Sequence, residues 1–158
     1  MTDPGPRQRL AAILVADVAG YSRLMTADDH ATVAALDRAR ETFRARIASH
    51  QGRVIDMAGD SVLAVFDTAI GAVTAALAIQ EDLEAAALSV PDERRMRFRI
   101  GIHLGDVIEK ADGTVYGDGV NIAARLESLA RPGGITVSDA VRTLLRGRVA
   151  ATFEDQGE

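Results

Sequence analysis

Arg53-Val-Ile-Asp-Met-Ala-Gly-Asp-Ser-Val-Leu-Ala-Val-Phe66 decides the fold. Two short strand segments, 53–56 and 62–66, flank Met57-Ala-Gly-Asp-Ser61, and such a pair around a glycine-acidic turn reads as a β-hairpin. Toward the N-terminus, Val33, Leu36, Phe43 and Ile47 recur at helical spacing in a segment ending near Gly52. Thr26, with Asp29 three residues later, reads as the box that starts this helix. Ahead of it, Leu10 to Val15 is an almost wholly apolar run that ends in Asp17-Val-Ala-Gly20, a buried strand and a turn. Toward the C-terminus, Ile70, Val73, Leu77 and Leu83 mark a second inward-facing helix over about 68–87. Met96, Phe98, Ile100, Ile102 and Leu104 then alternate with polar residues or glycine as a long half-buried strand.

The order β-α-β-β-α-β predicts an α+β ferredoxin-like sandwich with a mainly antiparallel sheet. A C-terminal αβ extension follows. It comprises a turn at Lys110-Ala-Asp-Gly113, a short strand, a helix over 118–130 broken by Arg131-Pro-Gly-Gly134, a strand over 135–137 and a last helix from Ser138 to about Arg146. Residues 1–8, with Pro4, Gly5 and Pro6, read as a flexible leader, and 9–158 as one domain expected to be truncated at its C-terminus.

The 158 residues suffice for a single domain with its own core, and 47% apolar with 26% charged residues is ordinary for a soluble globule. No apolar run approaches the roughly 20 residues of a membrane span, so no membrane contact is expected from this segment. The absence of cysteine excludes disulfides, thiolate metal sites and a cysteine nucleophile, and permits a cytoplasmic setting. A net charge of −5, four Phe, two Tyr and no Trp leave little with which to bind nucleic acid. The run Glu93-Arg-Arg-Met-Arg-Phe-Arg99 reads as a loop entering a solvated strand face, and His30, His50 and His103 lack metal-ligand spacing.

The candidate chemistry lies in three places. Asp17 and Asp60 each sit in a turn, at the end of the first strand and in the hairpin. In a ferredoxin-like sheet the first and third strands are neighbours, so the two carboxylates can meet. They would repel unless a cation lay between them, which suits divalent metal; the alternative is two independent turn aspartates. Val18, Ala19 and Gly20 supply small residues and amides that can cradle phosphate oxygens. Asn121 and Arg125, four apart on a small-sided helix, suit a sugar and a phosphoryl group; the alternative for Arg125 is an ion pair with Asp118 or Glu127. Together they describe a nucleoside triphosphate site.

The segments Asp17-Val-Ala-Gly-Tyr-Ser22, Gly59-Asp-Ser-Val-Leu-Ala-Val-Phe66, Arg99-Ile-Gly-Ile-His-Leu-Gly105 and Tyr116-Gly-Asp-Gly-Val-Asn-Ile-Ala-Ala-Arg-Leu-Glu127 resemble, in that order, the class III adenylate/guanylate cyclase catalytic domain. The resemblance runs from about Leu10 to the end. It implies that Asp17 and Asp60 hold two Mg²⁺ or Mn²⁺ ions, that Val18, Ala19, Gly20 and Tyr21 line the triphosphate, and that Asn121 and Arg125 act on ribose and α-phosphate. It also implies a homodimer with shared active sites, the metal aspartates coming from one subunit and the Asn/Arg pair from the other.

Relatives that use ATP commonly carry a lysine four residues before the second metal aspartate and an aspartate seven before the asparagine. Asp56 and Thr114 stand there in this chain. Their hydrogen-bonding inventory admits either purine; the reading favours ATP, with GTP second. The segment from Gly105 to Tyr116 is shorter than the arm with which many relatives clasp their partner. The triphosphate-binding lysine of the family lies beyond the point where this sequence ends. The competing functions are a degenerate cyclase-like regulatory or nucleotide-binding module, an RNA-binding module without strand aromatics, and another palm-like phosphotransferase such as a diguanylate cyclase.

Overall fold

The hairpin at 53–66 forms and makes one edge of the sheet. The computed structural model describes residues 5–148 and Phe153. Its elements in chain order are β1 (Arg7–Val18), α1 (Tyr21–Ala27), α2 (Asp29–Ser49), β2 (Gly52–Asp56), β3 (Val62–Phe66), α3 (Ala69–Ala87), a 3-10 turn at Asp92–Arg94, β4 (Phe98–Glu109), β5 (Val115–Tyr116), α4 (Asp118–Leu129), β6 (Ile135–Val137) and α5 (Asp139–Leu145). The strands are ordered β2-β3-β1-β4-β5, with β6 parallel to the start of β4 and every other pair antiparallel. This is the anticipated α+β sandwich with a C-terminal αβ extension.

β1 is central, and its alternation divides the core in two. Ala12, Leu14, Ala16 and Val18 face the larger cluster, with Phe43 of α2, Ile79 of α3, Phe66 and Phe98. Ala11 and Ile13 face a smaller cluster with Val65, Val107 and Ala123 of α4. One face of the sheet therefore carries α2 and α3, and the other carries α4.

Local details depart from the sequence expectations. The start of the long helix is Asp28, not Thr26: its carboxylate accepts from the Ala31 N–H at 3.0 Å, while Thr26 belongs to the separate α1. The inward stripe of α2 runs Thr32, Leu36, Ala39, Phe43, Ile47, and Val33 is exposed. Thr32 can occupy a buried place because its hydroxyl donates to the Leu24 and Asp28 carbonyls, at 2.9 and 2.7 Å. In α3, Leu77 turns outward, and Ala72, Ala75 and Ala76 let the helix lie close to the sheet. β1 starts at Arg7, inside the stretch expected as leader: Arg7 and Gln8 pair with Glu109 and Ile108 of β4. Its polar beginning is secured by side chains, Arg9 Nε donating to Glu109 Oε2 at 2.7 Å. Residues 1–4 of the expected leader and 154–158 at the expected truncation lie outside the described residues. No helix among the described residues is long and apolar enough to cross a membrane.

Candidate active site

The β1–β3 register, with Ala16 opposite Val62, sets the end of β1 beside the turn that precedes β3. There the Val18 N–H donates to Asp60 Oδ2 at 3.2 Å. The two candidate metal aspartates thus converge within one residue of each other. The turn presenting Asp60 is tight: Ser61 N–H donates to the Ala58 carbonyl at 3.0 Å, Gly59 is left-handed at φ 58, and the Arg40 guanidinium donates to the Gly59 carbonyl.

Asp17 is also gripped from behind. It stands opposite Arg99 in the β1–β4 register, with Arg99 Nε 3.7 Å from Asp17 Oδ1. Both side chains are about a third exposed, yet these two atoms are buried and have no hydrogen-bond partner, as is Oε1 of Glu127. Glu127, on α4, is only 4% exposed. Burial, first, and then a hydrogen bond and charge from Asp17 push its carboxyl up to about 8, against the opposing pull of Arg99. Ser128 Oγ donates to Glu127 Oε2 at 3.4 Å. The Glu127 carboxyl is thereby biased toward its neutral form beside Asp17. The sequence reading missed both residues. Both fall within the family-like segments, but the pattern assigns Arg99 to a solvated charge run and offers Glu127 as a partner for Arg125, giving neither a role beside Asp17. The available signal was spacing, since Glu127 falls four residues after Ala123 on the face of α4 that Gly119 begins.

The turn after Asp17 offers fewer amides than expected. Val18 N–H is engaged by Asp60, and Ala19 N–H by the Arg97 carbonyl at 2.9 Å. Gly20, left-handed at φ 67, caps α1, so the open amides begin in the first turn of that helix. Tyr21 is half-buried and packs against the larger core cluster.

α4 has two opposed faces. Gly119, Ala123 and Glu127 are buried against the sheet, whereas Asn121 and Arg125 are exposed. Residues two apart on a helix point about 200° away from each other, so the Asn/Arg pair faces away from the aspartates of its own chain. Arg125 makes no hydrogen bond or ion pair among the described residues, and the alternative pairing with Asp118 or Glu127 is absent there.

Asp56 is exposed at the end of β2. A register shift between Val54 and Asp56 sets it opposite Leu63, on the α4 face of the sheet. Thr114 is held by Asp112, whose Oδ1 accepts from the Thr114 hydroxyl at 2.6 Å and its N–H at 3.0 Å. That hydroxyl, first among causes, keeps the Asp112 carboxyl below its usual range. Asp56 and Thr114 do not bond each other among the described residues, but Arg53 reaches the Gly113 carbonyl at 3.3 Å, so β2 and the β4–β5 hairpin approach. His103 is structural: Nδ1 lies 3.0 Å from Ser138 Oγ, and burial lowers its pKa.

The family model of the adenylate and guanylate cyclase catalytic domain matches residues 6–158. The chain belongs to that family. It is 44% identical to the putative adenylate cyclase 3 of Rhizobium meliloti (strain 1021) over 152 residues, 96% of this chain and 26% of that protein. It is 33% identical over 148 residues to the adenylate cyclase of Streptomyces coelicolor, 92% of this chain and 37% of that one. A solved structure, the adenylate/guanylate cyclase/hydrolase from Silicibacter pomeroyi, superposes with a TM-score of 0.90 at 41% identity, over 96% of this chain and 88% of that one. The chain therefore spans about a quarter of the Rhizobium protein it matches. By family it is a class III cyclase catalytic domain.

Cyclase domains of this family are generally metal-dependent, and the residues present fit that need. Among the described residues no group of three or more His, Cys, Asp or Glu is arranged around a metal. Two converging carboxylates are instead what Mg²⁺ or Mn²⁺ takes from a protein when nucleotide phosphates and water complete the shell. Asp17 and Asp60 are the residues that can hold such ions.

Proposed function

We propose that this cyclase domain converts ATP, with GTP as the second choice, to the 3′,5′-cyclic nucleotide and pyrophosphate, at sites shared between two copies of the chain. The observation that carries the reading is the hydrogen bond from Val18 N–H to Asp60, which brings the second acidic turn against the first. Two metal ions held by Asp17 and Asp60 would acidify the ribose 3′-hydroxyl and anchor the triphosphate.

The ribose 3′-oxygen attacks the α-phosphorus in line as its proton passes to solvent water. The bond from phosphorus to the bridging oxygen breaks, and pyrophosphate leaves with that electron pair. Arg125 offers its guanidinium fork to the charge growing on the α-phosphate, and Asn121 hydrogen-bonds the ribose to hold the attacking oxygen in line. The exposure of both, on the face of α4 turned away from Asp17 and Asp60, supports their service in the partner's site. The first-turn amides of α1, following Gly20, are the donors left for phosphate oxygens. Asp56 and Thr114 are proposed to read the purine edge, the Thr114 hydroxyl being free to donate to it only on leaving Asp112.

Incubation of the purified domain with Mn²⁺ and either ATP or GTP, with products separated by chromatography, tests the proposal. A cyclic nucleotide and pyrophosphate in equal amounts are expected, and neither should form with Asp17→Ala or Asp60→Ala. Nucleotide binding without any product, in protein shown to be dimeric, would instead favour a regulatory module. The occupied hydroxyl of Thr114 is the observation on that side.

A further inference from the structure

We propose that Arg99 is a positioning residue for Asp17: its buried guanidinium edge fixes the inner carboxylate oxygen, so that the outer oxygen is presented to metal. The proposal rests on the reading of Asp17 as a metal ligand.

Three polar atoms without hydrogen-bond partners, Asp17 Oδ1, Arg99 Nε and Glu127 Oε1, are buried at one place. Each comes from a different element, β1, β4 and α4. Unpartnered buried polar atoms are rare in folded chains, and three together on a charged group and two carboxyls call for an explanation. The Nε–Oδ1 separation of 3.7 Å is ion-pair range, just beyond a hydrogen bond. Register makes the pairing obligatory, because Asp17 and Arg99 are directly opposite across the β1–β4 ladder and point to the same face.

The backing comes from α4. A side chain at Gly101, two residues along β4 on that face, would place its Cβ 2.3 Å from Glu127 N and 2.4 Å from Ala123 O. The helix backbone therefore rests directly on the strand, and it carries the buried Glu127 side chain beside Arg99 and Asp17. Arg99 is then a fixed cation between two carboxyl groups from elements on either side of it. A carboxylate held at one oxygen by such a partner loses its freedom to rotate away from a cation at the other. Groups that orient a metal ligand in this way typically influence metal affinity by about 10–100-fold.

The experiment compares Arg99→Lys and Arg99→Met with the wild-type domain. Mn²⁺ uptake is read by electron paramagnetic resonance in the presence of a non-cyclisable ATP analogue, beside thermal melts and the Mn²⁺ dependence of turnover. Arg99→Met is expected to weaken Mn²⁺ uptake by about tenfold or more, with turnover recovering at saturating Mn²⁺. Arg99→Lys, which retains the charge, is expected to lie between Arg99→Met and wild type. Uptake by Arg99→Met equal to wild type overturns the proposal. So does a loss of turnover that saturating Mn²⁺ does not restore, since that is the mark of a structural role. Should Arg99→Met fail to fold, the folded Arg99→Lys decides, with unchanged Mn²⁺ uptake counting against. A wild-type domain that binds the analogue but takes up no Mn²⁺ overturns the metal reading of Asp17 itself, and this proposal with it.

Discussion

Val18 donates its amide hydrogen to Asp60 Oδ2 at 3.2 Å, so the second acidic turn is tied to the residue that follows Asp17. This bond separates two roles of Asp60. An asparagine can still accept from Val18 N–H, but it carries no charge for a cation. Asp60→Asn is therefore expected to melt near the wild-type temperature while turnover falls by about two orders of magnitude or more, the effect of losing one preorganised electrostatic group. Melting curves and product assays on the same preparation check it, and an active Asp60→Asn would remove Asp60 from the metal site.

The opposed faces of α4 lead to a complementation test. Asp60→Asn spoils the aspartate half of a shared site, and Arg125→Ala spoils the other half. Each variant alone is expected to be inactive. Mixed and allowed to exchange subunits, they should regain activity, because one site of each heterodimer then draws both halves from unmutated surfaces. No recovery, with exchange demonstrated by a tagged subunit, would mean that both halves act within one chain.

How much of this was legible in the sequence depends on how local each cause is. The approach of the Asp60 turn to the end of β1 was legible because it follows from strand order: a β-α-β-β-α-β chain sets its first and third strands side by side. That Asn121 and Arg125 share one face of a helix was legible from spacing alone, since four residues on a helix is a local relation. The Asp28 cap was not, because Thr26 and Asp28 are both capping types two residues apart. The decision lies in the break between two consecutive helices, where Asp28 is extended at φ −164. Arg99 and Glu127 were out of reach for a different reason. Charged residues default to solvent, and here they are overruled by a helix that can settle on Gly101. The amides of Val18 and Ala19 were miscounted because their acceptors, Asp60 and Arg97, lie 42 and 78 positions away in the chain.

The purine prediction concerns Asp56. On the α4 face of the sheet it presents only acceptor oxygens, where ATP-using relatives place a lysine donor. Asp56→Lys combined with Thr114→Asp would set a donor against adenine N1 and an acceptor against its amino group. The double variant is expected to raise the preference for ATP over GTP, measured as the ratio of kcat/KM values. A ratio that does not move would mean that these positions do not touch the base.

Glu127 makes the metal-free domain sensitive to pH. Its carboxyl is raised from 4.5 to about 8, facing Asp17, Arg99 and Ser128. Between those values the folded chain keeps a proton that the unfolded chain has released, so stability falls as pH rises through that window. Below about 4.5 both states are protonated, and above about 8 both are ionised, so the dependence flattens at each end. Glu127→Gln cannot ionise and lacks this slope. The difference in melting temperature, Gln variant minus wild type, should grow from pH 5 to pH 8 in the absence of metal. Parallel curves would show that Glu127 does not hold its proton.

The contact between Gly101 and α4 makes the sharpest demand on stability. A methyl there would meet Glu127 N at 2.3 Å, Ala123 O at 2.4 Å and Glu127 Cα at 2.8 Å. All three are backbone atoms, so no side-chain rotation relieves the overlap and the helix itself must lift. Gly101→Ala is expected to cost about 1–3 kcal/mol, as forced overpacking does, and to lower the melting temperature by about 2–4 °C per kcal/mol in a domain of this size. The lift also moves Asn121 and Arg125, which ride on the outer face of the same helix, and withdraws Glu127 from Asp17. Turnover should therefore fall even well below the melting temperature, with KM for Mn²⁺ rising. A Gly101→Ala domain with wild-type stability and wild-type Mn²⁺ dependence would show that α4 is not seated on β4 as described. The burial that places Glu127 beside Asp17 would then lose its cause.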